Sequence, residues 1–511
     1  VSSNPLAPSW LRYPDDANAL APSVWSLNAA RSADGELVIA GARASELVAE
    51  FGTPVYVVDE ADVRTRARDI RDSFDAAFAA IGSSAKVYYA GKAFLSTQVA
   101  SWMIADGLNI DVCSGGELAV ALAGGAEPAR LGLHGNNKSI AEIDRAVGVG
   151  IGAIVIDSVI EVERVADAAA RHDRVQPVRL RVNSGVHAHT HEYLATARED
   201  QKFGIPLADV DAVVAQIRSH ASLEFLGLHS HIGSQIFEAD GFAEAASRLF
   251  DAHARLLAGG PVPELNLGGG FGIAYTSADE ALPTDVLATR LAGIVAAAAA
   301  EHGVAVPVIA IEPGRSIIGP STTTLYTVGT IKDVEVSLVD PPALVEPPSV
   351  VEPVETSPTV HAGVISTSSI RESGSTRESD STREVGSATR KYVSVDGGMS
   401  DNVRPALYAA DYSARIANRS SAAEPALVRV AGKHCESGDI VVHAEYLPGD
   451  VEPGDVLAIP ATGAYGWAMA SNYNYLARPP VVAVTDGRAR ILVRGETEAD
   501  LLARDAGLDN A

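Results

Sequence analysis

Lysine is scarce in this chain: it occupies seven of 511 positions (86, 92, 138, 202, 332, 391 and 433), so arginine carries most of the positive charge. Cysteine is scarcer. Cys113 and Cys435 stand alone and far apart, so no disulfide framework is implied, and a reducing cytoplasm fits best. A basic excess is missing altogether. With a net charge of −25 there is no basic stripe to neutralise phosphates, which argues against a nucleic-acid partner. The surface is expected to be soluble and self-repelling. Long apolar runs are missing as well. The longest, Leu291–Ala300, is bracketed by Arg290 and Glu301; it is too short to cross a membrane and reads as a buried helix. Val1–Asp16 holds three prolines and neither a basic nor an apolar leader region, so no signal peptide is expected from it.

The chain is long enough for two domains, each with its own core. From about 55 to 325, short β-branched runs alternate with Ala-rich helical stretches. The predicted strands are Val87–Ala90, Leu108–Val112, Arg130–His134, Ala153–Ile156, Val178–Val182, Phe225–His229, Glu264–Leu267 and Val306–Ile311. Eight such strands with helices between them suggest an α/β fold, a TIM-type (β/α)8 barrel; an open doubly wound sheet is the alternative. From 391 to 511, strand-like runs separated by Gly, Pro and Asp predict a mainly β domain, closed by a helix at Glu498–Arg504 with Thr497 and Asp500 as capping partners. Residues 1–54 are expected to pack with that domain. Between the two domains, 335–390 is a low-complexity insertion. It has six prolines between 341 and 358, an arginine every six residues at Arg371, Arg377 and Arg383, and no aromatic residue between Tyr326 and Tyr392. Such a segment cannot bury enough apolar surface to offset its ordering entropy, and disorder is expected.

What the chain does have is polar or glycine-rich sequence after all eight predicted strands, where a barrel of this kind gathers its chemistry. Lys92 follows the first. Then come Asp111 to Ser114, His134 to Lys138, Asp157-Ser158 and Arg181 to Asn183. His229 to Ser234, Gly268 to Gly272 and Glu312-Pro313-Gly314-Arg315 complete the set. A lysine at the end of a buried strand often just reaches solvent. Its costly burial is justified where the amine forms a Schiff base, as with pyridoxal 5′-phosphate (PLP). The loops after strands seven and eight are the usual phosphate site of such barrels, which suits Gly268, Gly269 and Gly270 with Arg315. A carboxylate at Glu312 would hold a pyridine nitrogen protonated and make the ring an electron sink. His231 could lie flat on that ring. His187, His189 and His191 alternate as zinc ligands can, but no fourth ligand lies nearby, and no metal is expected. In the second domain, Cys435 sits in a polar turn beside Glu436 and is a candidate proton donor.

With these residues in place the chain closely resembles the PLP-dependent diaminopimelate decarboxylase family. The resemblance rests on Ala188–His191 with Asp200–Gly204, His229–Gln235, Glu312–Arg315, Asp396–Tyr408, Cys435–Asp439 and Ser471–Asn474, and it covers nearly all of the chain outside 335–390. It implies decarboxylation of meso-diaminopimelate to L-lysine and CO2, the last step of lysine biosynthesis, by a homodimer with shared active sites. Lys92 would then carry PLP, with His231 on the ring and Glu312 at its nitrogen. Ser234, Gly268 to Gly270, Gly314 and Arg315 would surround the phosphate, with Tyr473 closing it; Asp111, Arg181 and Pro313 join the cofactor shell. Substrate would meet Arg315, Arg404, Tyr408, Glu436 and Tyr473, and Cys435 of the partner subunit would deliver a proton. Arginines suit the distal carboxylate of that substrate and Glu436 its distal ammonium. A decarboxylase of ornithine, arginine or carboxynorspermidine is the nearest rival, and a non-catalytic PLP-binding protein a more distant one.

Overall fold

The computed structural model of the chain describes residues 4–185, 202–231, 233–237, 240–338 and 387–507. All eight predicted barrel strands form, and all pair in parallel. In order they are Ala85–Ala90, Asn109–Val112, Leu131–Leu133, Ala153–Ile156, Gln176–Asn183, Leu223–His229, Glu264–Asn266 and Val308–Ile311. The last returns to the first through Ile309↔Ala85, so the sheet closes into a barrel and the open-sheet alternative falls. Closure removes both sheet edges, and helices cover the outside.

The helices follow from local sequence. Val159–Arg171 buries Val162, Val165, Ala166 and Ala169 at helical spacing against the barrel. Ile140–Val149 starts at Ser139, whose hydroxyl accepts from the Glu142 N–H while Glu142 reciprocates, a cap worth about 1 kcal/mol. Leu291–Ala300 does lie in a helix, Thr284–Glu301, but only one face is buried: Leu291, Ala292, Val295, Ala298 and Ala299 point inward. The run looks continuous because alanine is also tolerated on the outer face.

The second sheet differs from the expectation at its seams. Val55–Asp59, read as the opening of the barrel, lies instead in the second sheet, antiparallel to Thr322–Ser337 and parallel to Val481–Thr485. Its helix, Glu60–Ala79, is the first element of the barrel layer and packs against Thr284–Glu301. The long strand Thr322–Ser337 also pairs with Val456–Ile459 and with Ser387–Val395. The latter ladder runs out to Ser337↔Ser387, so both ends of the expected 335–390 insertion are regular strand; 339–386 lie outside the described residues. The strand-like runs expected beyond residue 391 form as Ser387–Val395, Pro425–Ala431, Ile440–Pro448, Val456–Ile459, Val481–Thr485 and Arg488–Val493, and the Thr497–Asp500 capping box is present. Upstream, Val24, Trp25, Leu37 and Leu47 share a core with Val57, Leu325 and Val482, and Leu11 packs with Leu427 and Tyr446.

Candidate active site

Lys92 occupies a 3-10 turn, Gly91–Ala93, directly after the first barrel strand. A Cβ on Gly91 would meet the Asp111 carbonyl oxygen at 2.9 Å, so only glycine lets the turn pass the second strand. Two cavities of about 220 and 280 Å3 meet at this turn and share Ala90, Lys92, His231 and Glu312. Lys92 is therefore accessible to a cavity and not to a convex surface. Burial works to lower its pKa, but Tyr465, Cys113 and Glu312 outweigh it and raise the value, so the free amine is held as an ammonium.

One chamber is anionic at its base. Glu312 Oε1 accepts from Asn266 Nδ2 at 2.7 Å and lies 2.9 Å from His229 Nε2 and 3.5 Å from His134 Nε2. Burial pushes His229 down to about 4 against the pull of the neighbouring Glu312. Burial would raise Glu312, yet the neighbouring His229 and His134 bring it well below the ordinary carboxylate range. Asp111, 3.0 Å from His134 Nε2, is raised by burial to about 6. Arg181 also lines this chamber, stacked 4.1 Å over the Phe203 ring. Cys113 is its thiol, pushed up to about 12 by burial. His134, His229 and Glu312 place ligand atoms within 4.8 Å of one another, as a cation site would; His187, His189 and His191 lie outside the described residues.

The other chamber is cationic. It is lined by Ser234, Gly270, Gly314, Arg315, Arg404, Tyr408 and Tyr465, among others. Arg315 Nη2 donates to Ser234 Oγ at 2.7 Å, and Arg404 Nη1 to the Tyr412 hydroxyl at 2.5 Å. Both guanidinium groups are buried, and neither pairs with a carboxylate among the described residues.

Several expected residues stand elsewhere. Gly268 and Gly269 line neither chamber: Gly268 N–H donates to Asn266 Oδ1, and Gly269 N–H to His231 Nδ1. A Cβ on Gly269 would meet the Glu312 carbonyl oxygen at 2.1 Å, so this glycine exists to let two loops cross. Pro313 presents its carbonyl to the Ala90 N–H, tying the Glu312 loop to the Lys92 strand, and does not line the cavity. Tyr473 is half exposed on the second domain, its ring stacked 5.5 Å from that of His434. Beside it stand the exposed Cys435 and Glu436, and Cys435 N–H donates to Asn474 Oδ1 at 3.2 Å. None of these three reaches the Lys92 cavity of its own chain. Besides the expected Tyr408, the cavity holds a second tyrosine, Tyr465, which sequence reasoning missed. Its N–H bonds to the Ala93 carbonyl and its ring lies 4.7 Å from the Arg315 guanidinium carbon. A tyrosine set in Gly463-Ala464-Tyr465-Gly466 just after a buried strand was the available signal.

Residues 60–319 match the pyridoxal-binding domain of the pyridoxal-dependent decarboxylases. Over 493 residues the chain is 44% identical to the diaminopimelate decarboxylase of Mycobacterium tuberculosis (strain ATCC 25618 / H37Rv), covering 95% of this chain and 98% of that one. The Bacillus subtilis (strain 168) diaminopimelate decarboxylase is 39% identical over 480 residues, covering 92% and 95%. A solved structure of diaminopimelate decarboxylase from M. jannaschii in complex with L-lysine superposes with a TM-score of 0.76 at 27% identity, covering 94% and 98%. The donor set fits a pyridoxal phosphate group: an amine stands between an ionised, buried carboxylate and an arginine–serine pair, with an imidazole bordering both chambers. The chain belongs to the pyridoxal-dependent decarboxylase family, among the diaminopimelate decarboxylases.

Proposed function

We propose that this chain, loaded with PLP, decarboxylates meso-2,6-diaminopimelate to L-lysine and CO2. The observation that carries the substrate is the pair of buried arginines, Arg315 and Arg404, unneutralised by any described carboxylate in the chamber beside Lys92. One guanidinium suits the cofactor phosphate; the other answers a carboxylate far from the reacting carbon, which ornithine does not have.

Bound here, PLP supplies a sink for the electron pair left behind by CO2. The chain's own residues do the rest. Lys92 would hold the cofactor through its amine. Glu312, kept ionised, would favour a proton on the ring nitrogen, and His231 would wall the ring. Ser234 and Arg315 would hold the phosphate, and Arg404 and Tyr408 would orient the distal carboxylate.

Cys435 and Glu436 are read as serving the Lys92 site of a partner subunit in a two-fold dimer. Support comes from their exposure on a turn outside their own chain's cavity. Both thiols are unpaired, as suits a cytoplasmic enzyme, and no helix among the described residues is long and apolar enough to cross a membrane. Incubation with PLP and meso-diaminopimelate, followed by amino-acid analysis, should show lysine accumulating with CO2 release. Turnover of ornithine but not of meso-diaminopimelate would replace the reading. The shared site has its own test. Lys92→Ala and Glu436→Ala should each be nearly inactive, and mixing with subunit exchange should restore roughly a quarter of wild-type activity, since half the dimers are mixed and each holds one intact site. Confirmed exchange with no recovery would remove the partner role of Glu436.

A further inference from the structure

One tyrosine touches both arginines of the cationic chamber. The Tyr275 hydroxyl accepts a hydrogen bond from Arg315 Nη1, and its ring lies 4.4 Å from the Arg404 guanidinium carbon. Tyr412 completes the clamp: it accepts from Arg404 Nη1 at 2.5 Å, and its ring meets that of Tyr275 edge to face at 5.0 Å. All four side chains are buried. A buried guanidinium is costly, and a carboxylate would pin it only by cancelling its charge. A phenol oxygen and an aromatic face hold the group without neutralising it. Both arginines therefore keep their charge for anions entering the chamber.

We propose that Tyr275 is a positioning residue with two separable functions: its hydroxyl holds Arg315 for the cofactor phosphate, and its ring holds Arg404 for the distal carboxylate of the substrate. The proposal rests on the reading of the chamber given under Proposed function. It links the two anion sites through one side chain that itself lines neither. Arg315 also lies 5.8 Å from the ring centroid, farther than Arg404 at 4.4 Å, so its main tie is the hydroxyl and substitutions divide the two contacts. Tyr275→Phe removes the acceptor and keeps the ring, while Tyr275→Leu removes both.

The test titrates apoenzyme with PLP and, separately, with pyridoxal, which lacks the phosphate, and then measures KM for meso-diaminopimelate on each loaded variant. Tyr275→Phe should bind PLP about tenfold more weakly, with pyridoxal affinity and KM within about twofold of wild type. Tyr275→Leu should show the same PLP loss and in addition a KM raised about tenfold, with kcat changed less. Equal losses of PLP and pyridoxal affinity in the phenylalanine variant would mean a general packing role and overturn the proposal. So would unchanged PLP affinity in that variant, or an unchanged KM in the leucine variant. If the wild-type enzyme does not turn over meso-diaminopimelate, the functional reading fails, and the comparison of PLP with pyridoxal alone decides the proposal.

Discussion

Replacing Lys92 with alanine should lower turnover by at least about a thousandfold, the scale of deleting a covalent catalytic group. Borohydride reduction of the PLP-loaded wild-type protein should fix the label on the peptide that contains Lys92. The structure explains why Lys86 and Lys138, the other two lysines on or directly after barrel strands, are poor candidates. Lys86 lies at the opposite end of the same strand, paired with Glu264. Lys138 is buried, but its ammonium donates to the carbonyls of Gly135 and Val155 at 2.7 and 2.6 Å and to Glu161 at 3.1 Å. Those three acceptors use its three protons, whereas Lys92 faces open cavity. Mass spectrometry that found the label on Lys86 or Lys138 would refute the assignment.

Glu312→Gln should retain PLP yet slow the chemical step by on the order of a thousandfold, comparable with losing one strong electrostatic contact to a developing charge. The amide is nearly isosteric and can still accept from Asn266, so the site should remain assembled. What it lacks is the negative charge that favours a proton on the pyridine nitrogen. Burial raises the cost of an ionised group at this position, and the imidazoles offset that cost. The variant should therefore show a cofactor absorbance altered in position but not in amount. Glu312→Asp should recover part of the rate if charge is the cause. Near-normal turnover in Glu312→Gln would remove this role from the residue.

Much of this site was legible before any coordinate. Lys92, His231, Glu312 and Arg315 stand at the ends of strands whose β-branched runs are bounded by polar sequence. Once eight such runs alternate with helices, a barrel brings their ends to one rim. Where the reading stopped, the cause was long-range pairing. Val55–Asp59 is five apolar-rich residues that would fit either sheet; hydrogen bonds to Thr322–Ser337 and Val481–Thr485 assign it to the second. Thr322–Ser337 carries a clear strand pattern in Leu325, Tyr326, Val328, Ile331, Val334 and Val336, but no strand is expected there, because its start falls within the 55–325 stretch and its end within the low-complexity segment.

The sequence by itself determined the strand and helix periodicity, an α/β run of eight strands, the lysine and the carboxylate at two strand ends, and the family. These depend on local pattern, or on residues a few positions apart. Only the tertiary structure showed that Tyr465 joins Tyr408 at the cavity and that Tyr473 does not. Tyr465 comes from the second domain, hundreds of residues after Lys92, and meets its turn through one backbone bond to Ala93; Tyr473, in a similar aromatic context, faces outward. It also decided that Asn266 joins Glu312 to the Gly268 loop, and that Tyr275 and Tyr412 stack on Arg404. Such contacts depend on the closing geometry of loops from different elements. No residue's type or spacing encodes that geometry, because it arises from how the barrel and the second sheet pack together.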